Sequence, residues 1–137
     1  MTDNQRTQKP LKASVNKLQL FSDEQIKNIV GLVNHDPQIE KLGKELKVTL
    51  SMAFKMDETG EAHCFNFKDG KIIAVAKGEN AEFIISGPEK VWQQIFNRKI
   101  DPFVATSQNK LKLKGNFIKL SRWYAPFSRI FELWSQA

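Results

Sequence analysis

The sequence predicts an α+β fold, a sheet of five strands layered with helices, and three observations predict it. Residues 48 to 56 alternate, with Val48, Leu50, Met52, Phe54 and Met56 set between Lys47, Thr49, Ser51, Ala53 and Lys55, the period of a strand with one buried face. Two turns, Asp57-Glu58-Thr59-Gly60 and Asp69-Gly70, then cut the following apolar runs to strand length. From Phe117 onward the period changes. Phe117, Leu120, Trp123, Tyr124, Phe127, Ile130, Phe131 and Trp134 recur mostly at spacings of three and four, which draws an apolar stripe along a helix.

Each element has its own signal. Residues 1–20 hold few apolar side chains and read as an arm in which Leu11, Val15 and Leu18 make at most one helical turn, leaving 21–137 as the folded domain. Ser22 followed by Gln25 is a capping box, and Phe21 before it supplies half of a hydrophobic staple. Ile26, Ile29, Val30 and Val33 give the first helix its buried face. Asp36 then caps, Pro37 suits a first helical position, and Ile39, Leu42 and Leu46 trace a second short helix.

After the strand at 48–56, His63, Phe65 and Phe67 alternate with Cys64, Asn66 and Lys68 as a second strand. Ile72 to Ala76 returns as a third, and a turn at Lys77 to Asn80 leads into a fourth at Ala81 to Ile85, so these four strands are expected in meander order. Ser86-Gly87-Pro88-Glu89 reads as a helix start, placing Trp92, Ile95 and Phe96 on one face. Beyond Asp101-Pro102, the run Lys110-Leu111-Lys112-Leu113-Lys114 alternates as a fifth strand, burying two leucines while three ammonium groups stay in water. Pro126 falls within the last helical stripe, where it predicts a kink or two helices meeting near Ala125.

A chain of 137 residues, 41% of them hydrophobic, suits one globular domain. The net charge of +6 is uneven: Arg6, Lys9, Lys12 and Lys17 face only Asp3 in the first twenty residues, and Lys110, Lys112, Lys114, Lys119, Arg122 and Arg129 face only Glu132 from residue 109 onward. Positive ends meeting on one surface would attract anionic headgroups or nucleic acid. The lone Cys64 forms no internal disulfide. With a polar amino terminus and no apolar run of membrane-spanning length, it points to a soluble cytoplasmic protein.

Catalytic constellations are scarce. His63 and Cys64 are sequence neighbours, so a strand sends them to opposite faces and they make no nucleophile and base pair. Two histidines and one cysteine at these spacings form no zinc set, and no cofactor is expected. Asp57, Glu58 and Glu61 cluster in a turn, where solvated charge is the ordinary explanation. Pro88 removes one amide that a phosphate-binding glycine loop would offer. Aromatics buried by periodicity are unsuited to stacking on nucleic acid, which is therefore not an expected partner. Tyr124 and His63 are the remaining proton donors, and nothing in the sequence pairs them.

Particular segments, taken in order, resemble the sterol carrier protein type 2 family of lipid-binding domains in its compact prokaryotic form. They are Phe65-Asn66-Phe67-Lys68-Asp69-Gly70-Lys71, Ala81-Glu82-Phe83-Ile84-Ile85-Ser86-Gly87, Val91-Trp92, Lys99-Ile100-Asp101-Pro102, and Lys110-Leu111-Lys112-Leu113-Lys114-Gly115-Asn116. The resemblance covers about Phe21 to Trp134. Where family members commonly place a glycine after the helix, this chain has Asn97-Arg98, and asparagine tolerates the left-handed conformation such a cap requires.

The resemblance implies a five-stranded, mostly antiparallel sheet with helices over one face. It also implies non-catalytic binding and carriage of a fatty acid, fatty acyl-CoA, sterol-like or isoprenoid lipid in an apolar tunnel between them. The residues expected to line that tunnel are Met52, Phe54, Trp92, Ile95, Phe103, Phe117, Leu120, Trp123 and Phe127. Lys119, Arg122 and Arg129 are expected at its mouth, meeting a headgroup or an anionic membrane surface. Ten phenylalanines and three tryptophans also permit the opposite reading. In that case a filled interior makes an interaction or dimerisation module accessory to a lipid-modifying enzyme, and a homodimer is the assembly to test.

Overall fold

The computed structural model describes residues 19–137. The expectations for the amino-terminal arm, including a turn through Leu11, Val15 and Leu18, lie outside the described residues.

Helix α1 (Asp23–Asn34) begins where the sequence places it, with Ser22 Oγ accepting from the Gln25 amide at 3.2 Å. Gln25 reaches back one residue further than a capping box requires, its Oε1 accepting from the Phe21 amide at 2.7 Å. This holds Phe21 at φ 56°, aimed into the core. Helix α2 (Pro37–Glu45) is capped by Asp36 and carries Pro37 in its first turn.

Strands β1 (Leu50–Met56), β2 (Ala62–Lys68) and β3 (Lys71–Lys77) form an antiparallel meander, and Asp69-Gly70 makes the tight turn between the last two, both residues at positive φ. The expected meander stops there. Strand β4 (Phe83–Gly87) does not join β3 but crosses back to pair in parallel with β1, and β5 (Lys112–Lys114) completes the order β3-β2-β1-β4-β5. Parallel neighbours need a long connection, and the whole β2–β3 hairpin supplies it.

The register puts Met52 beside Phe65 and Phe83, and Phe54 beside His63 and Ile85, so these side chains share the face covered by helices. The opposite face is closed at its centre as well. The returning loop at 78–82 lies over it, with Cys64 Sγ against the Asn80 carbonyl at 3.7 Å, the Glu82 amide donating to Ser51 Oγ at 2.7 Å, and Lys55 paired with Glu79 at 3.1 Å. Ala53 is consequently buried, and β1 has two covered faces rather than one.

Helix α3 (Glu89–Phe96) starts without help from Ser86, which belongs to β4. Its cap comes from Glu58 in the β1–β2 turn, whose carboxylate oxygens accept the Glu89 amide at 2.9 and 3.2 Å. At its end Asn97 keeps a negative φ, and Arg98 takes the left-handed conformation at φ 59°. Helix α4 (Pro102–Ser107) is capped by Asp101. Only Lys112 to Lys114 pair as β5; Leu111 is buried ahead of the strand and Leu113 is half-buried.

The last stripe is two helices, α5 (Phe117–Ser121) and α6 (Tyr124–Trp134), joined at Arg122-Trp123. Pro126 does not break a helix. It sits in the first turn of α6, where an amide would have no intrahelical acceptor, so no hydrogen bond is lost there. Helix α6 packs against α1, α2 and α3, making it the centre of the helical layer.

Candidate functional site

The nine side chains expected along one tunnel are divided among different parts of the helix–sheet interface. In one part, Phe21, Phe54, Trp92, Phe96 and Trp134 interlock, with ring centroids 4.6 to 6.2 Å apart in mostly edge-to-face pairs. Trp92 Nε1 donates to the Lys55 carbonyl at 3.0 Å, which fixes its ring against β1. Phe54 and Trp92 both belong to this aromatic cluster.

In a second region, α4, α5 and α6 roof over β1, β4 and β5. Met52, Ile85 and Leu113 form the floor, Pro102, Phe103 and Thr106 one wall, Phe117 and Leu120 the next, and Phe127 and Phe131 the last. The single hydroxyl turns away, Thr106 Oγ1 donating to the Pro102 carbonyl at 2.8 Å, so the walls are apolar. The space it offers is about 10 Å³, roughly that needed to hold one water. It is a narrow pocket.

Five of the expected tunnel residues line it: Met52, Phe103, Phe117, Leu120 and Phe127. Ile95 faces instead a polar surface cleft of about 280 Å³, shared with Arg98, Ile100, Asp101, Ser128 and Glu132. Trp123 donates from Nε1 to the Leu46 carbonyl at 2.9 Å and pins the α5–α6 joint to α2. Ile85, Pro102, Thr106, Leu113 and Phe131 complete the pocket. Leu113 was legible from the alternation of the lysine-flanked strand; Ile85 required the strand order. Pro102 and Phe131 line both pocket and cleft, and so form the partition between them.

The roof is built from the smallest elements. Helix α4 has six residues and α5 five, capped by Asp101 and Asn116 respectively. Isolated turns of this length are unstable without packing, and few buried contacts hold them down. Their outer surface is greasy, Val104 being 44% exposed, Phe117 55% and Ile118 74%, and Tyr124 at the start of α6 is 52% exposed.

The three cations expected at the mouth differ in their commitments. Lys119 is ion-paired with Glu82. Arg129 holds Asp36 and Glu132 on the far side of α6. Arg122 has no ion pair among the described residues.

His63 and Cys64 do point to opposite faces of β2, the imidazole stacked on Phe21 and the thiol beneath the 78–82 loop. Burial pushes the thiol's pKa up and the imidazole's down, so each is held in its neutral form. No group of three His, Cys, Asp or Glu able to hold a metal occurs among the described residues. Among the same residues, no helix is long and apolar enough to cross a membrane.

A mixed sheet in the order 3-2-1-4-5, with an apolar pocket beneath short helices on one face, defines a small α+β domain. The model of the SCP-2 sterol transfer family matches residues 26–127, and the chain belongs to that family. Its structure is similar to a crystal structure of sterol carrier protein 2 at a TM-score of 0.77 and 16% identity, covering 85% of this chain and 97% of that one. It is similar also to a protein of Thermus thermophilus described as possibly a sterol carrier protein, with a TM-score of 0.74, 16% identity, and 88% and 90% coverage. A third likeness is to palmitated SCP2L2 from Aedes aegypti, at 0.53, 19% identity, and 81% and 95% coverage. Among curated protein sequences there is no match to this chain.

Proposed function

We propose that this protein is a non-catalytic cytoplasmic carrier that binds the hydrocarbon part of a lipid between sheet and helices, opening its pocket by lifting α4 and α5. The observation that carries this reading is an apolar chamber placed under the two least anchored helices, with its one hydroxyl turned away. A space of about 10 Å³ holds no acyl chain, so a ligand binds a more open state and its affinity is lowered by the cost of opening. Each methylene buried returns about 0.8 kcal/mol, so a long chain can offset that cost. Membership of a sterol transfer family supports a lipid as cargo. An acyl chain suits this site better than a rigid ring system, because it can thread between side chains that part by small steps.

The near absence of free space also favours a second reading, in which the filled domain is an interaction or dimerisation module for a lipid-modifying enzyme. Displacement of a fluorescent fatty acid by palmitate separates the two. The carrier reading expects saturable binding to the wild-type protein and binding about tenfold weaker for Thr106→Trp, whose ring would occupy the chamber. Absence of saturable binding by acyl, sterol and isoprenoid probes would leave the module reading. Native mass spectrometry of the purified protein would report both a retained lipid and any homodimer.

A further inference from the structure

We propose that the polar cleft beside the pocket binds a zwitterionic head group, a phosphate joined to a primary ammonium, borne by a single-chain lipid whose hydrocarbon enters the pocket. This rests on the carrier reading and names the class of cargo.

The cleft is much the larger of the two spaces, about 280 Å³ against about 10 Å³. That lies just below the roughly 300–1,000 Å³ of ordinary small-molecule sites, so it suits a head group and not a whole lipid. Pro102 and Phe131 line both spaces, so a chain that passes this partition leaves its polar end in the cleft.

Polar groups around the cleft keep unused bonding capacity. The Arg98 guanidinium, with its five N–H donors, has one ionic contact, with Glu132 Oε2 at 3.7 Å. Asp101 caps α4 through Oδ1, which accepts from the Phe103 and Val104 amides at 2.7 and 3.3 Å, and its Oδ2 has no hydrogen bond among the described residues. Ser128 likewise has no side-chain hydrogen bond among them. Glu132 is steadied from behind, Oε1 accepting from Arg129 Nη1 at 3.0 Å.

Arg98 is also costly where it stands. Its backbone holds φ 59°, a conformation that suits glycine better, and its exposed ion pair returns little stability. Strain kept without a structural return fits a ligand-binding position.

One guanidinium and two carboxylates together select the head. A purely anionic head would set its charge against Asp101 and Glu132, and a purely cationic one would meet Arg98. A head of both signs satisfies all four groups, with the phosphate on Arg98 and Ser128 and the ammonium on Asp101 and Glu132. A primary ammonium fits better than a trimethylammonium, because carboxylate oxygens take hydrogen-bond donors.

Displacement of the fluorescent fatty acid by palmitoyl lysophosphatidylethanolamine, palmitoyl lysophosphatidylcholine, palmitoyl lysophosphatidic acid and palmitate, each below its micellar concentration, tests the assignment. The shared chain leaves the head as the variable. Wild-type protein should bind the ethanolamine lipid about tenfold more tightly than the other three. Arg98→Gly should bring that affinity down about tenfold, to the level of palmitate, without lowering the Tm. Asp101→Asn keeps a capping oxygen and should erase the distinction between the ethanolamine lipid and lysophosphatidic acid.

Equal affinity of the wild-type protein for all four lipids would overturn the proposal, as would an undiminished preference in Arg98→Gly. Equal binding of the choline and ethanolamine lipids would overturn the primary ammonium. Saturable binding of palmitate without any preference among heads would remove only the head site, whereas absence of saturable binding by every probe would remove the carrier reading and the head site with it.

Discussion

Arg129 of α6 grips Asp36 at the start of α2 with two parallel bonds, Nη2 to Oδ1 at 2.7 Å and Nε to Oδ2 at 3.1 Å. Oδ2 also accepts the Ile39 amide at 3.0 Å, so one carboxylate caps a helix and ties it to the centre of the helical layer.

The Arg129 hydrogen bond is the largest influence on Asp36 and holds its pKa below the ordinary 3.8. A depressed carboxylate contributes stability above its unfolded value, and that contribution disappears as pH falls through the lower folded value. Arg129→Met should therefore cost about 1.5–3 kcal/mol at neutral pH and lose less on acidification below about pH 4 than the wild type. Asp36→Asn keeps a capping oxygen and should be less damaging than Asp36→Ala by about 1 kcal/mol. Urea unfolding across this pH range measures all three. Equal losses for the two Asp36 variants would show that the cap contributes nothing.

His63 is buried, stacked 5.9 Å from Phe21, and its Nε2 has no hydrogen-bond partner. Desolvation is the main reason its pKa lies below 6.5, with Glu61 at 4.0 Å opposing and Lys77 adding to the shift. The unfolded chain takes up a proton that the folded one resists, so stability is full above about pH 6.5 and declines as pH falls below it. His63→Phe should flatten that decline. Denaturation midpoints at about pH 7.5 and 5.5 that change equally in variant and wild type would refute the assignment.

Gly43 of α2 is the point at which that helix touches the β2–β3 hairpin. A methyl group there would lie 2.4 Å from the Asp69 carbonyl oxygen and 2.5 Å from Gly70 Cα, both of them backbone. Alanine is ordinarily better than glycine in a helix by about 1 kcal/mol. Here the clash reverses the sign, and Gly43→Ala should lose about 1–3 kcal/mol. A raised Tm would mean that α2 can shift away from the hairpin without cost.

Arg98 bears a left-handed φ of 59° at the end of α3, where its amide donates to the Ile95 carbonyl at 3.0 Å. That conformation costs a residue with a Cβ about 1–2 kcal/mol, while its exposed 3.7 Å contact with Glu132 contributes little. Arg98→Gly should raise stability by up to about 1 kcal/mol. A lower Tm would assign the ion pair more weight than its exposure suggests.

Phe131 separates the pocket from the cleft and packs on Trp134 at 4.8 Å and Phe54 at 6.2 Å. Phe131→Ala should cost about 3–5 kcal/mol and join the two spaces. Palmitate should then raise the Tm of the variant more than that of the wild type, since the chain refills the gap. An identical shift in both proteins would place the acyl chain elsewhere.

The chain itself determined the identity and order of most of its elements, although helix α4 showed in the sequence only as the Asp101-Pro102 turn. Ser22 and Asp36 announced helix starts through the acceptors they offer, Asp69-Gly70 announced a hairpin through the positive φ it tolerates, and the change of period at Phe117 separated helix from strand. These signals are local and depend on residues within one or two turns. The tertiary structure decided what meets across long separations. Strand β4 chose β1 over β3, because alternation marks which face is buried without naming the neighbour. The cap of α3 came from Glu58, thirty-one residues away, where the sequence suggested Ser86. Most consequential was the division of the aromatics, all of them apolar and periodic alike. Phe54 and Trp92 interlock while Phe103, Phe117 and Phe127 surround a small chamber, since packing depends on three-dimensional shape and not on hydrophobicity alone.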